Sequence, residues 1–243
     1  GNLDLVKAAI KLTGVSQGLE LVLHSDAPPG TGLGSSSTVV VTMVGVFDHL
    51  MSLSLTNYQT AELAYRIERE EVAIKGGRQD HYASTFGGFN FIEFNAASTV
   101  VNPLKIEPDT INELEYRLLL CYTGRSRVSE NIVKQFSEAY EKREVNTSSA
   151  LDETKSLAID MKATLLAGNL GEFGLLLHEA WGVKKRLSDK ISDTRIDELY
   201  QVARQSGALG GKILGAGGGG YLLCLCDVDK RHIVSQKLEE AGG

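Results

Sequence analysis

Apolar positions recur in this chain with two different periods, and the change between them predicts its elements. Residues from Asn2 to Gly14 read as a helix and those from Leu19 to His24 as a strand. The run Thr38 to Phe47 is rich in β-branched residues and by composition alone suggests a strand. The unbroken stretch continues to Met51, about 14 residues opened by Ser35, Ser36 and Ser37, and favours a buried helix, because serine caps a helix start and few strands run so long. From Thr56 to Glu71, apolar Leu63, Ala64 and Ile67 stand against charged Glu62, Arg66 and Glu70, an amphipathic helix with Glu68 in its last part. Phe89 to Phe94 and Val100 to Ile106 read as strands, and Pro103 confines the second to an edge or a strand end.

Beyond Pro108 the helical period takes over. One strand, Tyr116 to Tyr122, precedes helices at Ser129 to Arg143, Ser149 to Leu166, Leu170 to Trp181 and Asp193 to Ser206, the last closed by Gly207 as a C-cap. A glycine-rich loop and an apolar strand from Tyr221 follow. The order is mixed without repeats, the α+β class, with a boundary expected near residue 115 that separates domains 1–115 and 116–243.

Composition narrows this further. A net charge of −6, with Lys and Arg dispersed, argues against a nucleic-acid surface, so any phosphate binding has to be local. Cys121, Cys224 and Cys226 show neither metal-ligand spacing nor an even disulfide set, which points to a reducing cytoplasm. No apolar segment reaches the roughly 18 residues of a membrane span and no signal sequence opens the chain.

Two glycine loops carry the candidate chemistry. Pro29-Gly30-Thr31-Gly32-Leu33-Gly34-Ser35-Ser36-Ser37 runs into a helix, and Gly215-Ala216-Gly217-Gly218-Gly219-Gly220 runs into a strand. Glycine lets the main chain approach an anion, and a helix that follows aims unpaired N–H groups at it. The first loop is therefore a candidate nucleotide cradle, and the second is expected to line the same pocket. Gly215, Gly217 and Gly220 match G-x-G-x-x-G, yet a strand follows where the dinucleotide fingerprint needs a helix; the Gly-Lys-Ser/Thr close of a P-loop occurs nowhere.

Pro29 to Ser37 resembles the nucleotide motif of the GHMP kinases, named for galactose, homoserine, mevalonate and phosphomevalonate, and Lys212 to Gly220 is similar to their C-terminal glycine motif. Glu68 and, twelve residues on, Asp80 of Gly77-Arg78-Gln79-Asp80 stand where that family has its magnesium carboxylate and catalytic aspartate. Lys75 to Ala83, Phe86 to Phe91, Leu119 to Arg127 and Leu177 to Trp181 resemble the members acting on D-glycero-D-manno-heptose 7-phosphate. No counterpart of the family's N-terminal sugar motif precedes Ala27, so the chain is expected to begin inside a domain; Leu214 replaces a frequent Thr or Ser.

The resemblance implies a two-domain GHMP kinase fold, with an N-terminal half like ribosomal protein S5 domain 2 and a C-terminal ferredoxin-like half. It implies an ATP- and Mg²⁺-dependent kinase that phosphorylates the anomeric hydroxyl of the heptose phosphate. Pro29, Gly30, Gly32, Leu33, Gly34, Ser35, Ser36, Ser37, Gly217 and Gly218 are the expected nucleotide contacts, with Ser36 and Glu68 on the metal. Asp80 is the expected base or orienting charge for the acceptor hydroxyl, and Arg78, Arg125, Arg127, Asp80 and Gly217 are expected on the sugar phosphate. Expected partners are the sugar phosphate and ATP, without nucleic acid or membrane, and a homodimer is the assembly left open. A fucose- or galactose-type kinase, or a non-catalytic nucleotide or sugar sensor on the same fold, stands as the alternative. The sensor reading is weakened by the presence of both Glu68 and Asp80.

Overall fold

The computed structural model describes residues 3–125 and 130–243. It divides into two compact units: one holds the chain up to Pro29 with Gly34–Leu104, the other Gly30–Leu33 with Lys105–Gly243.

The first unit opens with α1 (Asp4–Thr13), closed by Gly14 in the left-handed conformation. The segment 19–24, read above as a strand, joins no sheet among the described residues, and Val22 is 82% exposed. Its alternation finds no partner strand there to complete a ladder. The β-branched run is helical, as its length argued: α2 (Ser35–Met51) buries Ser37, Val40, Met43, Val44 and Phe47 at helical spacing. Serine, however, does not cap it. Gly34 occupies that position with φ 69°, without a side-chain cap, and the hydroxyls of Ser36 and Ser37 are bonded elsewhere.

Thr56 starts α3 (Asn57–Tyr65) with a capping box to Gln59. The expected single helix over 56–71 then widens into a π-helical turn, Arg66–Glu71. After it come α4 (Gln79–Phe86) and an antiparallel hairpin of β1 (Asn90–Phe94) and β2 (Thr99–Pro103), with Pro103 at the strand end. Ala8, Ala9, Val40, Met43, Val44, Phe47, Ala64 and Ile67 form this unit's main core.

In the second unit α5 (Pro108–Arg117) occupies part of what was read as strand, so β3 (Leu118–Tyr122) starts two residues later than expected. Proline at the helix start sets the φ of its first turn and explains the difference. Helices α6 (Glu130–Glu141), α7 (Val145–Leu166), α8 (Leu170–Lys185) and α9 (Thr194–Ser206) follow, α9 capped by Asp193 and ended by Gly207. β4 (Ala208–Ile213) gave no strand signal because Gly210 and Gly211 interrupt its apolar pattern. Those glycines are needed: a Cβ on Gly210 would sit 1.9 Å from the Gly174 carbonyl oxygen of α8. β5 (Tyr221–Cys226) lies between β3 and β4 in an antiparallel sheet, and α10 (Arg231–Glu240) closes the described chain. Trp181, Ile191, Ile196, Leu199, Ile213, Leu222 and Cys224 fill the core between helices and sheet.

Candidate active site

In the first unit the π turn places Ile67 and Glu68, adjacent in sequence, both inside, at 0% and 1% exposure. Such widened turns recur at functional sites. Glu68 accepts from Ser36 Oγ at 2.6 Å on Oε1 and from Ser37 Oγ at 2.7 Å on Oε2. His81 Nε2 lies 2.7 Å from Oε2, and Arg69 Nη2 lies 3.7 Å from it. Burial pushes this carboxyl up, but His81, Ser36 and Ser37 through hydrogen bonds and Arg69 through its charge outweigh burial and hold it down at about 2. Glu68 is thus an ionised carboxylate at neutral pH. His81 is its buried partner, and only the fold brings the two together.

Asp80 stands one residue before His81 in the first turn of α4. A Cβ on Gly34 would lie 3.3 Å from Asp80 Cγ, so the glycine is what admits the carboxyl against the loop backbone. The first intrahelical bond of α2 runs from the Thr38 amide to the Gly34 carbonyl, so the amides of Ser35, Ser36 and Ser37 are the helix's unshared N-terminal donors. Ser35 Oγ is buried and without a partner among the described residues. Loop amides, two hydroxyls, Glu68 and Asp80 therefore converge at the start of one helix. Arg78 is engaged: its Nη1 donates to Glu62 Oε2 at 2.7 Å, and its guanidinium lies 4.3 Å over the Tyr65 ring.

In the second unit Gly30–Leu33 and the second glycine loop are in backbone contact. Tyr221 donates its amide to the Thr31 carbonyl at 3.3 Å, and a Cβ on Gly32 would lie 2.5 Å from the Leu214 carbonyl oxygen. Gly30 and Gly32 both have positive φ, and Leu33 is exposed. Gly217 packs on Ile191, and the Gly218 amide is spent on the Ile191 carbonyl at 2.7 Å, so it is not an open anion donor. Gly220 likewise donates to the Arg125 carbonyl. The Arg125 guanidinium stays exposed, 3.4 Å from Asp193. Arg127 lies outside the described residues. His178 and Trp181 behave as packing residues, His178 stacked on Tyr200 and Trp181 buried. The Lys184 ammonium donates to the carbonyls of Ile213 and Gly215 at the foot of the loop.

Among the described residues no three of His, Cys, Asp and Glu converge on a metal position, and no helix is long and apolar enough to cross a membrane. A magnesium ion does not need such a cluster, since one carboxylate together with substrate phosphates usually holds it. Glu68 Oε1, bonded to the Ser36 hydroxyl, has the oxygen chemistry for that role.

A glycine-turned helix start, an ionised carboxylate bound to its serines and an aspartate of α4 packed against the loop have the chemistry that phosphoryl transfer asks for. The match to known proteins agrees: residues 4–88 match the family described as GHMP kinases N terminal domain, and residues 161–243 that described as GHMP kinases C terminal. The chain belongs to the GHMP kinase family, and its α+β fold is that family's. Among its relatives, a D-glycero-alpha-D-manno-heptose 7-phosphate kinase of Campylobacter jejuni is 36% identical over 252 residues, covering 100% of this chain and 73% of the relative. A bifunctional fucokinase/GDP-fucose pyrophosphorylase of Arabidopsis thaliana is 30% identical over 97% of this chain and 23% of its own length. The crystal structure of a D-glycero-D-manno-heptose 1-phosphate kinase from Bacteroides thetaiotaomicron superposes with a TM-score of 0.72 at 32% identity, over 98% of this chain and 68% of that one.

Proposed function

We propose that this kinase transfers the γ-phosphoryl group of ATP to the anomeric hydroxyl of D-glycero-D-manno-heptose 7-phosphate, giving the 1,7-bisphosphate. The observation that carries the reading is the junction of Gly34, Ser36, Glu68 and Asp80 at the start of α2, supported by the 36% identity to a heptose 7-phosphate kinase. Phosphoryl transfer asks a protein mainly to position the phosphates, neutralise their charge and orient the acceptor. The amides that follow Gly34 hold phosphate oxygens, and the Ser35 hydroxyl gains the partner it lacks. Glu68 and Ser36 would hold Mg²⁺, which when bound neutralises phosphate charge. Ser37 and His81 keep the Glu68 carboxylate ionised and oriented. Asp80 orients the acceptor hydroxyl and takes its proton. Arg125, exposed in the second unit with a longer 3.4 Å contact to Asp193, has the guanidinium chemistry for a sugar phosphate, whereas Arg78 is held by Glu62 at 2.7 Å. We place the enzyme in the cytoplasm, in keeping with three free cysteines.

ADP release with Mg-ATP against heptose 7-phosphate, heptose, fucose, galactose and mannose tests the reading, with Asp80→Asn alongside. Turnover is expected on the phosphorylated heptose, falling by about 10²- to 10⁴-fold in the variant. Faster turnover on an unphosphorylated sugar removes the heptose phosphate, and an unaffected Asp80→Asn removes the role of Asp80.

A further inference from the structure

We propose that Lys184 is a positioning residue: its ammonium clamps the foot of the second glycine loop and so sets that loop against Gly30–Leu33. The consequence for catalysis rests on the reading above, in which these loops serve the ligands. Lys184 Nζ donates to the Ile213 carbonyl at 3.0 Å and to the Gly215 carbonyl, fastening the last residue of β4 and the first of the loop to one point. Gly215 is also where the loop meets the earlier segment, since a Cβ there would lie 2.7 Å from Gly32 Cα. No side chain separates the two backbones, so a small shift of Gly215 displaces Gly32. The base of the clamp is rigid, because Trp181 and Val183 bury the end of α8 at 1% and 4% exposure.

The clamp is held at a cost that a purely structural contact would avoid. Burial, and then the like charge of Lys212 on β4, hold the Lys184 amine down at about 7; burial lowers Lys212 as well. Neither lysine is ion-paired among the described residues. The next cations of α8 are committed, Lys185 to Asp197 and Arg186 to Glu153. From α7, Ala150, Leu157 and Met161 make the apolar contacts with α8, and the α7 carboxylate Glu153 is taken by Arg186. Arg204 of α9 is occupied by the Ala208 and Leu209 carbonyls. Because the folded-state value lies below the unfolded 10.5, the penalty of the buried charge is fully present below pH 7 and is relieved as pH rises from about 7 to 10.5. The charge-assisted bonds to the two carbonyls belong to the folded state and weaken as pH passes about 7. Fold stability and loop fixation therefore respond to pH with opposite signs.

Hydrogen exchange of residues 214–221 reads the clamp without requiring turnover, comparing wild type with Lys184→Met at each pH. At pH 6.5 the variant's loop is expected to exchange about tenfold faster or more, with an unchanged or raised unfolding midpoint. At pH 8.5 the difference should shrink to within about threefold, because the wild-type amine is then largely neutral. Lys212→Met, which leaves the clamp in place, should move the pH at which wild-type protection declines upward. Equal loop exchange in wild type and Lys184→Met at pH 6.5, or a difference independent of pH, overturns the proposal. ADP release in the same samples separates the two readings: wild type idle on every sugar refutes the kinase assignment while the exchange result still decides the clamp. Faster loop exchange with unchanged kcat/KM in an active enzyme refutes the catalytic consequence.

Discussion

Glu68→Gln tests the centre of the first unit. The substitution preserves size and one carbonyl acceptor but removes the charge and turns an amide NH₂ toward groups that donate to Glu68. At 1% exposure the carboxylate is shielded from solvent, so its interactions are not screened away. Held at about 2 against an ordinary 4.5, the ionised form contributes about 3 kcal/mol to folding at neutral pH. A carboxyl with a depressed folded-state value stabilises fully above its unfolded value and loses that contribution as pH falls toward the folded one. About 1.4 kcal/mol should therefore remain at pH 3. Urea unfolding of chelator-treated wild type and variant at pH 7, 5, 4 and 3 measures this. The gap should hold near 3 kcal/mol at pH 7 and 5 and narrow below 4.5. A gap under about 1 kcal/mol at pH 7, or one of equal size at pH 3, would refute the picture of an ionised carboxylate held by Ser36, Ser37 and His81.

Other perturbations probe the second unit. Gly220→Ala places a methyl 2.3 Å from the Thr31 carbonyl at φ 88° and should lower stability by about 3 kcal/mol or more. Gly182→Ala, inside α8 with nothing within 4 Å, should raise it by about 0.5–1 kcal/mol, so thermal unfolding of the pair should give opposite signs. Trp181 is 1% exposed and its Nε1 has no acceptor among the described residues. Trp181→Ala should cost about 3–5 kcal/mol, whereas Trp181→Phe, which discards the unpaired N–H, should cost well under half of that in a denaturant titration.

Much of the fold was readable because local periodicity and tertiary burial agree. The helix over Ser35–Met51 follows from an apolar run too long for a strand, and α9 from Asp193 at one end and Gly207 at the other. The misreadings share a cause. Leu19 to His24 has strand alternation but no partner, and β4 has partners on its sheet but lost its alternation to Gly210 and Gly211. Pairing between distant segments decides both cases, and no local window contains it.

The same division runs through the candidate site. Sequence alone determined the chemistry on offer: a glycine loop opening a helix, a carboxylate at Glu68, another at Asp80, and a second glycine loop before an apolar strand. These are properties of residue type and spacing, which the chain carries before it folds. Only the tertiary structure decided how they are used. It turned the serines from caps into donors to Glu68, buried His81 behind that carboxylate, spent the Gly218 amide on Ile191, and brought Lys184 to Gly215 from 31 residues away. Each is a contact between elements far apart in the chain, and a hydrogen bond or a desolvated charge acquires its strength from the partners and the burial that packing supplies.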